Sequence, residues 1–513
     1  MTCTKTSIAI ACSLALSIMS SAHADQLSDM QANLNKLQQQ IQDLQAQIGA
    51  LQKPAAPAPA APAAAISAKP GNDLTFRVGG GEITIYGHAD LSVDDQTSGL
   101  AGYLNGGVPV TGNNGWVPDV ASNLSYFGIR GERAIDADLK ALFQFETEVA
   151  FAATPGASDQ GTDGTAQKTG LGSRNSYVGL QSATMGAIKL GKSDAPYKTS
   201  TSRMNNFAGT PGDNGAIIGN SGGDNRVEFG TRLAHSIWYE SPSMGGFNLN
   251  VLVSPGQNRS TGNGLYAMGE PDCTGGNSTA GLNGNAGQPN SCVDGAFSNA
   301  FSTAAIYQAG PLYVTAGYEV HKQVNRTGDE IVAGTIGIRD ESAFKVGVQY
   351  ALPTNTVVNF IIEKLKRDAI TPALDERSHT AIWLAATQKL GSNDDLNFGW
   401  AHAGKTPGQP DQGVQDKFGN AATPGPSANG ANLYSIGYKH YFLDKRTTSY
   451  ITYSRLVNDY WAHYSLGAGG HGLPTRNYVG DKFIGGCQAN GVCGPPFAGN
   501  TAQALSVGLT YDF

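Results

Sequence analysis

From Leu74 onward the chain alternates apolar and polar residues with a period of two, in runs of about ten residues. Ile83, Ile85, Ala89, Leu91 and Val93 share one side of Glu82–Val93, and Thr84, Tyr86, His88, Asp90 and Ser92 share the other. Leu139, Ala141, Phe143 and Phe145 alternate with Lys140, Gln144, Glu146 and Glu148. Leu312, Val314, Ala316, Tyr318 and Val320 alternate with Thr315, Glu319 and His321, and Leu505, Val507, Leu509, Tyr511 and Phe513 repeat the pattern. Strands that are apolar on one face and polar on the other need two solvents. A closed sheet in a membrane supplies both, lipid outside and a wet lumen inside, and leaves no strand edge unpaired.

The connections alternate too. Short ones fall at 134–137, 182–186, 241–246, 309–311, 352–355, 390–394 and 443–447. Long Gly/Asn/Pro-rich ones fall near 94–122, 151–172, 193–226, 255–299, 322–341, 367–378, 404–431 and 458–501. Short turns at one rim and long loops at the other are the habit of outer-membrane barrels, and this segmentation gives about sixteen strands. The expected fold is therefore all-β: a transmembrane antiparallel β-barrel over 74–513, preceded by a short α-helical coiled coil. The 67 Gly and 20 Tyr in 513 residues suit many strands and turns.

The N-terminus reads as an export signal over 1–24: Lys5, an apolar stretch Ile8–Met19, and the small-x-small site Ala22-His23-Ala24. Cys12 lies within the apolar stretch rather than after it, which argues against a lipid-modified start. Leu27, Met30, Leu34, Leu37, Ile41, Leu44, Ile48 and Leu51 then follow at alternating spacings of three and four, an unbroken a/d seam for a coiled coil over 25–52. A lone amphipathic helix is the competing reading, and the seam does not specify an oligomer number. Residues 53–73 form an Ala/Pro-rich spacer that could reach about 50 Å at about 3.1 Å per residue.

Four cysteines lie beyond the signal: Cys273 with Cys292, and Cys487 with Cys493, two sequence-local pairs in Gly/Asn-rich stretches. In an oxidising compartment they suggest two loop disulfides; free thiols or another pairing stay open. No histidine stands at zinc-ligand spacing beside either pair. A net charge of −7 offers no basic field for nucleic acid.

Several pieces together resemble the general diffusion porins of Gram-negative bacteria, β-proteobacterial type. They are Ile83-Thr84-Ile85-Tyr86-Gly87, Tyr126-Phe127-Gly128-Ile129-Arg130-Gly131-Glu132, Leu139–Glu146, Arg174–Leu180, Ile188–Lys192, Tyr239–Phe247 and Tyr511-Asp512-Phe513. The motifs cover the first barrel half well and the second by pattern; the coiled coil and spacer are additions. The resemblance implies a cofactor-free homotrimer that passes small hydrophilic solutes and ions through the outer membrane. It implies as partners outer-membrane lipid, lipopolysaccharide and the barrel-assembly machinery, the last acting at Phe513. It further implies a third long loop, about Ser193 to Asn225, folded into the lumen, with basic wall residues facing acidic loop residues. Arg130, Arg174, Lys192, His88 and, more loosely, Arg232 match the wall positions. Asp213 and Asp224 are the acidic residues left on the loop, where Asn206-Phe207-Ala208-Gly209 replaces the usual acidic-aromatic-Gly-Gly motif. Fewer loop carboxylates favour anions over cations.

Gly186-Ala187-Ile188-Lys189-Leu190-Gly191-Lys192-Ser193 fits the phosphate-loop pattern, but its residues alternate as a strand and no helix start follows. The sequence holds no H-E-x-x-H and no calcium loop, so the expectation is a channel and not an enzyme. Within that class, solute-selective uptake competes with general diffusion. A second class has the coil contacting peptidoglycan and tethering the envelope, and a third is a stalked trimeric adhesin. The long strand pattern in one chain argues against the adhesin, whose chains each add only a few strands to a shared barrel. Deleting residues 25–71 separates these readings: a pore keeps its conductance in planar bilayers, whereas a stalk-dependent adhesin loses surface binding.

Overall fold

Strands wind into a closed barrel in the computed structural model, which describes residues 72–97, 116–149, 174–219, 229–255, 299–325, 338–368, 378–407, 429–442, 445–459 and 501–513, with short pieces between them. The expected signal peptide, the coiled-coil seam, most of the spacer, the four loop cysteines and Asp224 lie outside the described residues. The chain divides into two units, Met1–Ser67 and Ala68–Phe513, and the second holds the barrel.

Among the described residues the wall has sixteen antiparallel strands. They are β1 (Gly81–Thr97), β2 (Val117–Ser122 and Tyr126–Ala134), β3 (Leu139–Glu148), β4 (Ser176–Ser182), β5 (Gly186–Asp194), β6 (Arg232–Glu240), β7 (Phe247–Ser254) and β8 (Asn299–Ala309). The rest are β9 (Leu312–Asn325), β10 (Ile338–Ala351), β11 (Thr356–Arg367), β12 (His379–Leu390), β13 (Asp394–Ala403), β14 (Ala431–Tyr441), β15 (Thr447–Asn458) and β16 (Thr501–Asp512). One short helix, α1 (Pro196–Ser202), lies between β5 and β6. Each strand pairs with its sequence neighbour, and β16 returns to β1 from Gln503↔Thr97 to Asp512↔His88. The short connections match those read from the sequence. β1 and β2 run further than the sequence suggested: 117–122 pairs with Leu91–Gln96, and the ladder breaks only at 123–125, where Leu124 adopts φ 57°. There Asn123 turns inward and donates to Ser92 Oγ (2.9 Å) and Tyr450 Oη (3.1 Å), which compensates for the lost ladder bonds.

Closure uses two chain segments. β16 stops where Gly87 and Phe513 exchange backbone hydrogen bonds (3.0 and 3.1 Å). Below that point β1 is paired instead by a leading strand, Asn72–Val78, which turns back through Gly79 and Gly80 at φ 57° and 81° and sets Thr75 opposite Thr84. Left-handed backbone of this kind is what glycine permits at a two-residue turn.

The two faces separate as the alternation requires. Val93, Phe127, Phe143, Val178, Ile188, Ile237, Leu384 and Val507 are exposed on the outside. Asp90, Ser92, Asp94, Ser454 and Ser506 are buried on the inside. Exposed Tyr239, Tyr307, Tyr350, Tyr438 and Tyr511 ring the rim beside the short turns, where amphipathic rings suit a membrane interface. Val507 lies mid-strand between Ile451 and Val93. Val507→Arg should therefore destabilise the folded barrel by about 2–4 kcal/mol in a bilayer, and Val507→Leu should not. Denaturant titration followed by heat-modifiable gel mobility measures this.

Candidate functional site

The inward face of β1 to β4 carries a cation–aromatic cluster. Alternation points Tyr86 and His88 inward on β1, Tyr126, Gly128 and Arg130 on β2, and Glu146 on β3. Gly128 lies in register between Tyr86 and Glu146. A Cβ there would stand 2.3 Å from Tyr86 Cζ, so the glycine is what lets the ring lie across the strand. The Tyr86 hydroxyl thereby reaches Glu146 Oε2 (3.1 Å). Arg174 Nε donates to Glu146 Oε1 at 2.6 Å, and its guanidinium sits 4.6 Å from the Tyr126 ring centre. Arg130 lies 5.0 Å from the Tyr86 ring centre. His88 stacks on Tyr126 and places Nδ1 2.7 Å from Asp512 Oδ1.

Three of the sequence-predicted wall residues, Arg130, Arg174 and His88, thus meet around one tyrosine pair. Arg232 belongs to a second group: it donates to Asn175 Oδ1 (2.8 Å) and pairs with Asp194 (3.1 Å), which also binds Lys198 (3.0 Å). Lys192 pairs with Ser176 in the ladder and sits inside the register shift of β5, where alternation assigns it no face. Arg174, His88 and Arg232 each have a carboxylate partner; among the described residues, Arg130 has only its tyrosine.

The segment between β5 and β6 packs on inward residues of β8 to β15. Tyr197 N–H donates to Ser302 Oγ (3.0 Å), Tyr313 O–H to the Ser200 carbonyl (2.7 Å), and Trp383 Nε1–H to the Met204 carbonyl (2.9 Å). Asn206 donates to Thr387 Oγ1 (2.6 Å) and accepts from Asn359 (2.8 Å). Met204, Phe207, Ile217 and Ile218 join Ile361, Trp383, Leu433 and Leu456 in one buried apolar cluster. The wall makes room with glycine. A Cβ on Gly347 would lie 2.9 Å from Met204 Sδ, and one on Gly399 would lie 2.8 Å from Phe207 Cε2.

Asp213 faces its own segment. Its carboxylate accepts from Gly215 N–H and Asn205 Nδ2–H (both 2.8 Å) and from Gly209 N–H (3.2 Å). Burial raises its pKa, against those three donors, which hold the charged form. The sequence reading put Glu319 and His321 on the polar face of their strand but named neither as a site residue, and it missed the buried charges beside them on β10 and β11: Glu341, Lys345, Glu363 and Arg367. Their parity with inward neighbours was a usable signal, because alternation alone assigns them to the lumen side. Among the described residues no group of three His, Cys, Asp or Glu could hold a metal.

The family model described as Gram-negative porin matches residues 54–460. No curated protein matches the chain. Among solved structures, an anion-selective porin from Comamonas acidovorans is similar at 17% identity and a TM-score of 0.54, covering 84% of this chain and 100% of its own. The outer-membrane channel DcaP of Acinetobacter baumannii is 11% identical with a TM-score of 0.48, covering 85% and 99%. A trimer form of OmpT from Vibrio cholerae is 12% identical with a TM-score of 0.45, covering 84% and 99%.

The carboxylate held by its own segment makes Asp213 a test of geometry. Asp213→Asn keeps Oδ1 as the acceptor for Gly215 and Asn205 and gives up only the Gly209 bond to Oδ2, so the zero-current potential in a salt gradient should not move. A shift toward anions in that variant would show that the carboxylate acts on permeating ions.

Proposed function

This chain belongs to the Gram-negative porin family, and from that premise we infer that its barrel is a passive, size-limited channel narrowed by the segment between β5 and β6. No chemistry is needed: solutes move down their gradient, and the wall ranks them by size and charge. The observation that supports the narrowing is the apolar and hydrogen-bonded seating of residues 197–218 on the inward face, with glycines where the segment lies closest.

The charge preference follows from which cations lack a partner. Arg174, His88 and Arg232 are each paired with a carboxylate. Arg130 remains uncompensated over Tyr86, and Asp213 is turned away from the lumen. Arg130 without a carboxylate on the β1–β4 wall, set beside an Asp213 held by its own segment, supports a modest anion preference there, because opposed charges across a narrow pore set its field. Lys192 belongs on this wall in the same reading. Asp224 is then the loop carboxylate that opposes it.

The chain acts as a homotrimer in the outer membrane, with the N-terminal coil in the periplasm. Three coils held by one trimeric barrel have a high effective concentration, so even a short seam can associate and reach peptidoglycan. Outer-membrane lipid, lipopolysaccharide and the barrel-assembly machinery are its remaining partners, and the porin fold argues for a channel rather than an enzyme.

Planar-bilayer recording tests both parts. Conductance should appear in triplet steps, with a zero-current potential displaced modestly toward anions. Strong cation preference would sink the charge reading and leave the pore. Gly347→Val should unseat Met204 and raise single-channel conductance; an unchanged conductance from a folded Gly347→Val barrel would sink the narrowing.

A further inference from the structure

Three lysines gather on the outer face of the barrel where the apolar band ends. On β11 the outward side chains run Val358, Phe360 and Ile362, and then Lys364 and Lys366. On β9 they run Val314, Ala316, Tyr318 and Val320, and then Lys322. In register across β9, β10 and β11, one row is Tyr318, Phe344 and Lys364, and the next is Val320, Ser342 and Lys366. Thr380 of β12 lies opposite Lys364. Tyr318, Phe344 and Ile362 are exposed, so the cations stand at the edge of a surface otherwise suited to hydrocarbon. The long connections leave the barrel at this end of β9 and β11, away from the short turns at 309–311 and 352–355. In outer-membrane barrels the long-loop end faces the cell exterior.

Local structure sets where the ammonium groups stand. The ladder slips between His321 and Val324, and Gln323 adopts φ 54° there. Asp340 accepts the Gln323 N–H (2.9 Å) and Lys322 Nζ (2.5 Å), so the bulge aims Lys322 along the outer face. Lys366 pairs with Asp368 at 3.0 Å. That contact occupies one of the three N–H donors of an ammonium and leaves the others for a second acceptor. Lys364 has no polar partner among the described residues. Same-face neighbours on a strand are about 7 Å apart, which brings Lys364 and Lys366 within reach of one phosphorylated headgroup.

The same edge above β13 to β15 is built differently. Trp400, Tyr434 and Tyr453 occupy it, with Trp400 Nε1–H bonded to Asn432 and Tyr453 O–H to Gln503. Arg455, opposite Tyr434, is the guanidinium of that group.

We propose that Lys364 and Lys366, flanked by Lys322, Ser342 and Thr380, hold the phosphorylated headgroup of an outer-leaflet lipid whose acyl chains lie on Tyr318, Phe344 and Ile362. The apolar rows decide the source of the phosphate. A free anion would leave them uncovered, whereas one lipid covers both parts of the patch. Lysine suits the place, because its stem lies along apolar surface while its charge stays at the polar boundary.

This rests on the reading of the chain as an outer-membrane channel, and two measurements keep the two apart. The probe is diphosphoryl lipid A, added to the detergent-solubilised full-length protein and counted as bound adducts by native mass spectrometry. An ammonium near an anionic lipid surface is worth about fivefold in affinity. Replacing both lysines, Lys364→Gln with Lys366→Gln, should therefore weaken binding about 25-fold. Lys364→Arg with Lys366→Arg keeps the charges and should keep the binding. Arg455→Gln removes a charge from the same edge and should leave binding unchanged. Lipid A stripped of its phosphates should not compete, and neither should inorganic phosphate. Equal binding by the wild type and the double glutamine variant overturns the proposal. An equal loss in Arg455→Gln overturns it in favour of diffuse rim charge, and displacement by inorganic phosphate in favour of a free-anion site. Heat-modifiable mobility verifies that each variant is folded. Single-channel conductance should be the same in the double glutamine variant as in the wild type. No conductance from the wild type would sink the channel reading and leave the lipid result standing.

Discussion

A peptide group in hydrocarbon has no water to bond with, and each one left unpaired costs several kcal/mol. A sheet can cross such a medium only if its last strand meets its first. Here that requirement governs everything else: the continuous ladder from β1 to β16, the return of Asp512 to His88, and the recruitment of Asn72–Val78 to cover the rest of β1. Once the ladder is closed, the period of two does the remaining sorting. Every second side chain is available for lipid, and every other one faces inward.

The inward face then has its own problem, which is to seat a long connecting segment without leaving polar groups stranded. Two solutions appear side by side. On β10, β13 and β14 the wall recedes to glycine beneath Met204 and Phe207. On β9 to β11 it offers carboxylates instead, and Glu319 and Glu363 take up backbone and phenol donors. Burial, followed by the nearby Glu363 carboxylate, drives the Tyr197 phenol well above its ordinary pKa, which keeps it a donor. A buried charge set of this kind is sensitive to any single loss, because removing one partner leaves the other uncompensated at a cost of about 3–5 kcal/mol.

The barrel was legible from sequence because its signal is local and repeated. Ile83 to Val93 and Leu505 to Tyr511 state their faces by themselves, and the short turns announce their own length. The start of β2 was not legible: Val117–Ser122 holds a proline and an aspartate, and only the ladder to Leu91–Gln96 makes it a strand. For the wall cluster, alternation was enough to place Arg130, while Arg174 needed the carboxylate of Glu146, 28 residues away in sequence, to fix its direction. Asp213 counted as a loop acid in the sequence because a one-dimensional reading sees charge and not direction. Its three donors, all within eight residues of it, decide where it points.

Closure by two separate segments also bears on the order of assembly. The contact between His88 and Asp512 spans 424 positions of the sequence, and the pairing of Thr75 with Thr84 completes the same seam from the other side. Chain entropy lost on joining ends grows with the logarithm of their separation, and contacts between distant positions form late. Hairpins such as β13–β14 can register early, but the edge of β1 stays open until the final strand arrives. Until then the nascent sheet presents two free edges, each a template for a neighbouring chain. The interval before the seam closes is thus when this protein is most exposed to mispairing, and a factor that holds β1 and the incoming final strand together would shorten it.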